Sequence, residues 1–333
     1  MGKTYLCWKG LQQVAKEAKG DERISIGIRP YGFHAGNELT LFVYPWHLCN
    51  LVQKLGKEPK FTFFISLNDT EPEGLKYLYE DSTTGYYYKK EDLILTEEVP
   101  FEYNIFPKNT SFQYTTDPEG CCKSMAEHWS KLIKQKVLRL KKDFPLINIT
   151  FIDSSSTTNT PAYKKALKLI ISRPEILGNI VNEYSKVCFE KDWLSWAGAI
   201  CPNCHSAQGK TTISKETVTF ECEYCGQSYS GDIEKTSFWM HHMLLLAPRL
   251  KLFNIDLFFR GYDHYSCNHI PINEKLYKEL YSEHPKVKTI VPPLIIRPDG
   301  RKMSKSRSNE KTINTQKLKS LVENCKGEKI VLK

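Results

Sequence analysis

Near the end of the chain, Lys302-Met303-Ser304-Lys305-Ser306 places two lysines one turn apart among small hydroxyls. Such a pair is a cationic clamp. Fixed positive charge can stabilise a pentacoordinate phosphorus and a departing pyrophosphate as negative charge develops on them. Most lysine-rich stretches are merely solvated, but this particular pentapeptide is far more specific than a basic patch. Near the start, Pro30-Tyr31-Gly32-Phe33-His34-Ala35-Gly36-Asn37 joins an apolar strand to a helical pattern. Gly36 permits close approach of a nucleotide to the backbone, and a helix N-terminus favours phosphate charge. His34 and Asn37 can donate hydrogen bonds to phosphate oxygens. Taken alone, this segment is as readily a structural turn.

Cys201-Pro-Asn-Cys204 and Cys222-Glu-Tyr-Cys225 lie 17 residues apart. Two Cys-x-x-Cys knuckles at that separation match a zinc ribbon, with four thiolates closing a structural Zn²⁺ site. His205 is expected outside the ligand set. The chain has 11 cysteines, an odd number that suits a reducing compartment better than a disulfide scaffold. The net charge of +9 favours anionic partners, though solvated lysines give the same balance. No apolar run reaches the roughly 18–20 residues needed to cross a bilayer, and no secretory leader opens the chain. The expectation is a cytoplasmic protein without a membrane partner.

The elements that must position these residues alternate between strand and helix. Apolar runs at Ile24–Arg29, Phe61–Leu67, Leu146–Ile152 and Ile255–Arg260 read as strands, and Val287–Ile296 as a strand or strand pair. Helical patterns cover about Gly36–Leu55, Ser124–Lys142, Pro161–Val187 with a break near Pro174, and Phe238–Phe253. This alternation predicts an α/β fold with a Rossmann-like parallel sheet. Ligands then sit beyond the carboxyl ends of the strands, where the loops at Pro30–Asn37, Asn68–Glu71, Gly261–His264 and Arg297–Ser306 converge. The expected organisation is a first catalytic half over 1–195 with an insertion around 77–120, a zinc ribbon over 196–232, and a second catalytic half over 233–333. No Gly-x-Gly-x-x-Gly follows Ile24–Arg29, which argues against a dinucleotide oxidoreductase.

The pentapeptide at 302–306 is letter for letter the KMSKS signature of class I aminoacyl-tRNA synthetases, and His34-Ala35-Gly36-Asn37 resembles their HIGH signature. Further segments resemble the class I lysyl-tRNA synthetases: Asp117-Pro-Glu-Gly-Cys121 with Met125-Ala126-Glu127-His128, Asn182-Glu183-Tyr184 with Lys191-Asp192-Trp193, and Gly261-Tyr262-Asp263-His264. The resemblance implies the class I catalytic core and ATP-dependent formation of an aminoacyl-adenylate with Mg²⁺. It places His34 and Asn37 on the ATP phosphates, Gly36 under the adenine and Asp263 on the ribose. His264 falls near the amino acid, and Lys302 and Lys305, with Met303 and Ser304 between them, close on the triphosphate. Lysine or a lysine-like amino acid is the implied substrate and the 3′ end of tRNA the implied acceptor.

A lysine side chain needs a carboxylate or several acceptors for its ammonium and apolar walls for its stem. Asp69 and Glu71 are candidates for the first; Tyr31, Trp239, His242 and His264 for the walls, each also readable as an ordinary core or surface residue. Two departures stand out. The spacing from Pro30 to His34 is one residue shorter than the family's, and the chain stops 27 residues after Ser306, where the family continues into an anticodon-binding domain. A minimal enzyme using the acceptor stem, a paralogue charging a small molecule, peptide or carrier protein, and an inactive regulatory or RNA-binding module all stay open. The basic stretch Lys131–Lys142 can meet RNA phosphates or simply be a solvated face.

Overall fold

The computed structural model describes residues 2–30, 33, 35–72, 78–81, 86–89, 110–117, 119–184, 196–242, 244–266, 268–296, 314–325 and 327–332; for 78–81, 86–89, 263 and 266 it describes the backbone alone. The chain begins with strand β1 (Thr4–Leu6) and helix α1 (Cys7–Glu17), two elements the sequence pattern does not announce. Next come β2 (Arg23–Ile28), the short helix α2 (Ala35–Glu38), a π-helical turn over Leu39–Val43, and α3 (Tyr44–Lys54). Pro45 has no N–H to donate one turn back, which suits a helix that widens just ahead of it. Strand β3 (Thr62–Leu67) follows, then the hairpin strands β4 (Leu78–Asp81) and β5 (Tyr86–Lys89). The chain re-enters the core at Ser111, which bridges to Pro72, so the excursion between them starts and ends at one place.

Helix α4 (Met125–Leu138) starts at Ser124, whose hydroxyl accepts from the Glu127 N–H at 3.2 Å, while Glu127 reaches back to the Lys123 N–H at 2.9 Å. That reciprocal cap fixes where the helix begins. After α5 (Leu140–Asp143) and β6 (Asn148–Asp153) come α6 (Ser154–Thr157), α7 (Pro161–Ser172) and α8 (Pro174–Tyr184), with proline at the first position of the last two. The ribbon stem β7 (Ala197–Ala199) leads to β8 (Gly209–Ser214), β9 (Thr217–Cys222) and β10 (Ser228–Asp232), and returns through β11 (Phe238–Met240). The last elements are α9 (Leu246–Phe253), β12 (Leu257–Phe259), α10 (Tyr262–Ser266), α11 (His269–Tyr281), β13 (Lys288–Val291), β14 (Leu294–Ile296), α12 (Thr315–Glu323) and β15 (Lys329–Val331).

Six strands form one parallel sheet in the order β1-β13-β12-β2-β3-β6. Both faces are covered, which is why these strands read as near-continuous apolar runs. Leu11 and Val14 of α1, Leu48 and Val52 of α3, and Ile133 and Val137 of α4 pack on one face against Ile24, Ile26, Phe63 and Ile65. Leu167 and Ile170 of α7, Ile180 of α8, Leu250 of α9 and Leu276 of α11 pack with Phe64 and Phe258 on the other. The sequence runs outward from β2 through β3 to β6 on one side and from β12 to β13 on the other. The strand order therefore reverses between β2 and β12, and the crevice beyond their carboxyl ends is where a ligand belongs.

Helix was expected from Phe238, yet Phe238–Met240 pairs antiparallel with Ala197–Ala199 and helix begins only at Leu246. A single apolar run cannot distinguish the two; the partner strand 40 residues earlier decides it. Val287–Ile296, readable as one strand or a pair, is a pair: Pro292-Pro293 splits it into β13 in the main sheet and β14, which pairs with β15. No helix among the described residues is long and apolar enough to cross a membrane.

Beneath the sheet, the Arg249 guanidinium is fully buried and donates to the Asn68 side chain and, at 3.2 Å, to the Tyr163 hydroxyl. A Cβ at Gly27 would lie 2.7 Å from Arg249 Nη1. Glycine in β2 thus makes room for the cation that fixes the loop after β3. Gly27→Ala is expected to destabilise the fold by about 1–3 kcal/mol, read as a lower urea midpoint at an unchanged slope. An unchanged midpoint would mean that Arg249 moves aside freely.

Candidate active site and metal centres

The crevice is built from the segments leaving β2, β3 and β12. After β2 come Arg29 and Pro30, then α2 with Gly36 and Asn37 in its first turn, where the helix dipole favours an anion. Gly36 also accepts from the Thr40 hydroxyl at 3.0 Å. Tyr31 and His34 lie outside the described residues, as do Lys302, Met303, Ser304 and Lys305; of Asp263 only the backbone, in α10, is described.

The elements flanking residues 297–313 are described, and both reach the Asn37 segment. β14, which ends at Ile296, packs against α2, and α12, which starts at Thr315, packs on the π-helical turn. Glu38, immediately after Asn37, is the joint. Its Oε1 accepts from the Thr315 hydroxyl at 2.7 Å and from Arg139 Nη2 at 2.7 Å, with Lys136 Nζ 4.0 Å from Oε2. The carboxylate is almost wholly buried. Two of the cations in the basic stretch 131–142 are thus spent on Glu38, while Lys131, Lys141 and Lys142 remain exposed.

After β3, Asp69 and Glu71 part company. Asp69 accepts from the Ser155 backbone N–H at 2.9 Å and from its hydroxyl at 2.5 Å, so it holds the turn leading into α6; burial raises its carboxyl above the usual range. Glu71 is fully buried, with Oε1 2.8 Å from His242 Nδ1 and 3.9 Å from Arg29 Nη1. His242 lies against His241, His264 and His269, and the Nδ1 atoms of His264 and His269 are 2.8 Å apart. Arg260 Nη2 sits 3.2 and 3.4 Å from those two nitrogens. Burial, then the neighbouring His242, holds the His241 imidazole well below its ordinary pKa. Of the expected wall residues, His242 and His264 meet in this cluster. Trp239 instead packs with Ile200 and Ala207 in a small core of the ribbon stem. His241, His269, Arg29 and Arg260 were not singled out in the sequence.

The four cysteines of the ribbon converge. Cys201 and Cys225 sulfurs are 3.8 Å apart, Cys204 and Cys222 sulfurs 3.6 Å, and all four lie within 4.8 Å of one another. Tetrahedral zinc with Zn–S of about 2.3 Å needs S···S near 3.8 Å, and those two separations match it. His205 and Gly226 each follow a knuckle in the left-handed region, at φ 62° and 71°. His205 stacks on the Tyr114 ring, 4.2 Å between centroids, and stands outside the ligand set as expected. The Gln227 N–H, donating to the Cys225 thiol, brings it down to about 6, toward the thiolate that a metal takes.

A second donor set lies before and within α4: Asp117, Cys121, Cys122 and His128, with all four donor atoms within 4.8 Å. His128 Nδ1 is 3.3 Å from both Asp117 Oδ1 and Cys121 Sγ. Two sulfurs, one imidazole and one carboxylate form a borderline-soft set that also suits zinc. The adjacent Cys121-Cys122 pair has no Cys-x-x-Cys spacing to reveal it.

A family model described as tRNA synthetases class I (K) matches residues 110–322. The chain is similar to a lysine–tRNA ligase of Methanosphaera stadtmanae, 26% identical over 151 residues, which is 44% of this chain and 27% of that protein. It is also similar to a lysine–tRNA ligase of Methanocaldococcus jannaschii, 24% identical over 178 residues, 52% of this chain and 32% of that protein. The chain therefore spans about a third or less of these curated relatives. Among solved structures, a tyrosyl-tRNA synthetase from Archaeoglobus fulgidus complexed with L-tyrosine aligns with 91% of this chain and 64% of its own, at a TM-score of 0.39 and 14% identity. A putative arginyl-tRNA synthetase from Campylobacter jejuni covers 97% of this chain and 70% of its own, at 0.35 and 12%.

Metal analysis of the purified protein is expected to give two zinc equivalents per chain. Cys204→Ser should remove one and His128→Ala the other; a single equivalent insensitive to His128→Ala would leave the second set without a metal. A double-mutant cycle of Glu38→Gln and Thr315→Val should show a coupling of about 1 kcal/mol, whereas additive losses would mean that the two side chains do not meet in solution.

Proposed function

Because the chain belongs to the class I (K) tRNA synthetase family, we propose that it activates an amino acid with ATP, lysine or a close analogue. The strongest support is the joint at Glu38. It ties the helix bearing Gly36 and Asn37 to the helix that begins ten residues after Lys305, which supports reading the two signatures as parts of one site.

In this reading the triphosphate lies at the N-terminus of α2. Asn37 and His34 donate to its oxygens, Gly36 lies under the adenine and Asp263 takes the ribose hydroxyls. The amino acid's carboxylate attacks the α-phosphorus, the α–β bridging P–O bond breaks, and pyrophosphate leaves as the aminoacyl-adenylate forms. Lys302 and Lys305 meet the charge that grows on the phosphorus and the leaving group. Such contacts, stronger in the transition state than in the ground state, raise the rate rather than tighten binding. Mg²⁺ accompanying ATP supplies charge neutralisation. No covalent enzyme intermediate is required; orientation of two bound reactants carries the step. Cys201, Cys204, Cys222 and Cys225 would hold a zinc ion that would tie the ribbon's two knuckles together; with four protein ligands it would take no part in the reaction. Transfer of the aminoacyl group to the 3′ end of tRNA, or to another acceptor, completes the proposal.

Lysine-dependent exchange of pyrophosphate into ATP is the expected activity. Lys305→Ala should lower its kcat by about 10²-fold with a smaller change in KM for the amino acid. Exchange with none of the twenty amino acids or lysine analogues would overturn the reading. Incubation with ATP, labelled lysine and total tRNA identifies the acceptor: label in RNA supports a tRNA-charging enzyme, and label held as adenylate or on a small molecule supports a different acceptor.

A further inference from the structure

We propose that Glu71 selects a cationic side chain at this site, one carboxylate oxygen accepting the substrate's distal ammonium while His242 holds the other. The inference rests on the amino-acid-activation reading and names the residue behind its specificity. Glu71 lies four residues beyond the end of β3, at the carboxyl edge of the sheet beside the point where the strand order reverses. Its backbone is pinned by the Phe112 N–H, which donates to its carbonyl at 3.3 Å, and by the Pro72–Ser111 bridge next to it. The loop is therefore held from both sides before any ligand arrives.

A buried carboxylate is costly unless its oxygens are met by donors or cations. Glu71 is fully buried, yet its donors gather on one oxygen: His242 Nδ1 at 2.8 Å and, at a longer 3.9 Å, Arg29 Nη1 both face Oε1. Oε2 is equally buried and has no hydrogen-bond donor. Asp69, two residues earlier, has both oxygens committed to Ser155 and is a turn-holding residue. The remaining side chains of the cluster are imidazoles and guanidiniums, at His241, His242, His264, His269, Arg29 and Arg260. Glu71 is the one carboxylate among its described residues. The two guanidiniums repel a second cation, and the unmet oxygen of Glu71 is the anionic atom among the cluster's described residues that can receive one. An ammonium at the end of a flexible stem, with three donors and no acceptor, suits one oxygen.

The test is pyrophosphate exchange with lysine and with norleucine, which matches the lysine stem but ends in a methyl group, on the full chain and on Glu71→Gln. The variant should lose about 100-fold in kcat/KM for lysine, mostly through KM, because a charge-assisted bond is removed, while norleucine changes less than threefold. Equal losses for both amino acids, or no loss for either, would overturn the proposal. Glu71→Asp withdraws the charge by one methylene. It should shift preference from lysine toward homolysine, a result that a purely structural role does not produce; an unchanged order counts against the proposal. If the unaltered chain exchanges with no amino acid, the activity reading falls by itself, and lysine-induced thermal stabilisation decides this one. Stabilisation by lysine that vanishes in Glu71→Gln supports it; stabilisation that persists, or is absent in the unaltered chain, overturns it. A zinc equivalent lost in Glu71→Gln would also overturn it, assigning Glu71, His241 and His242 to a metal instead.

Discussion

One buried carboxylate links the two ends of the chain. Glu38 follows Asn37 directly and accepts from Thr315, 277 positions later, and from Arg139 of α4. Without that joint the sheet would still form, since its register depends on apolar pairs such as Ile26 with Ile65 and Ile24 with Leu257. The joint adds a polar tie to the packing of β14 on α2 and of α12 on the π-helical turn, the contacts that bring the elements flanking residues 297–313 to the Asn37 helix. Burying a charge is costly, and the two donors at 2.7 Å are what make it tolerable here.

The same logic runs around the carboxyl edge of the sheet. Arg249 sits beneath Gly27 and holds Asn68, Asn68 opens the loop to Asp69 and Glu71, and Ser155 fixes Asp69. Arg249, Asn68 and Asp69 are each met by a residue from a different segment, so this part of the edge is placed by hydrogen bonds across the fold rather than by local conformational preference. The apolar cores on both faces supply stability; these polar ties supply position. The ribbon stands apart from this network. Its strand β9 buries Val218, Phe220 and Cys222 on one face, and its four sulfurs already lie at a separation that suits one ion.

Much of this was legible in the sequence, and what was legible is local. The strands β2, β3 and β6 read as apolar runs because both faces of a parallel sheet are covered. The ribbon cysteines read as a zinc site because each knuckle brings its two ligands together within four residues. The Asp117, Cys121, Cys122 and His128 set did not, because its residues follow no familiar ligand spacing. Glu38, Arg139 and Thr315 were invisible for the same reason: nothing local to any one of them names the others. Asp69 and Glu71 were indistinguishable as acids two residues apart, and only the position of Ser155 separates them. Trp239 was expected beside the substrate, but the alternation of β11 sends its neighbours Phe238 and Met240 into the large core and Trp239 into a smaller one.

The account stands on the convergence of the Asn37 helix and the Lys302–Lys305 segment on one nucleotide. A crystal structure with a non-hydrolysable ATP analogue tests this most directly. The prediction is a triphosphate held between the first turn of α2 and the two lysines, with the adenine against Gly36. A nucleotide bound elsewhere, touching neither segment, would contradict it.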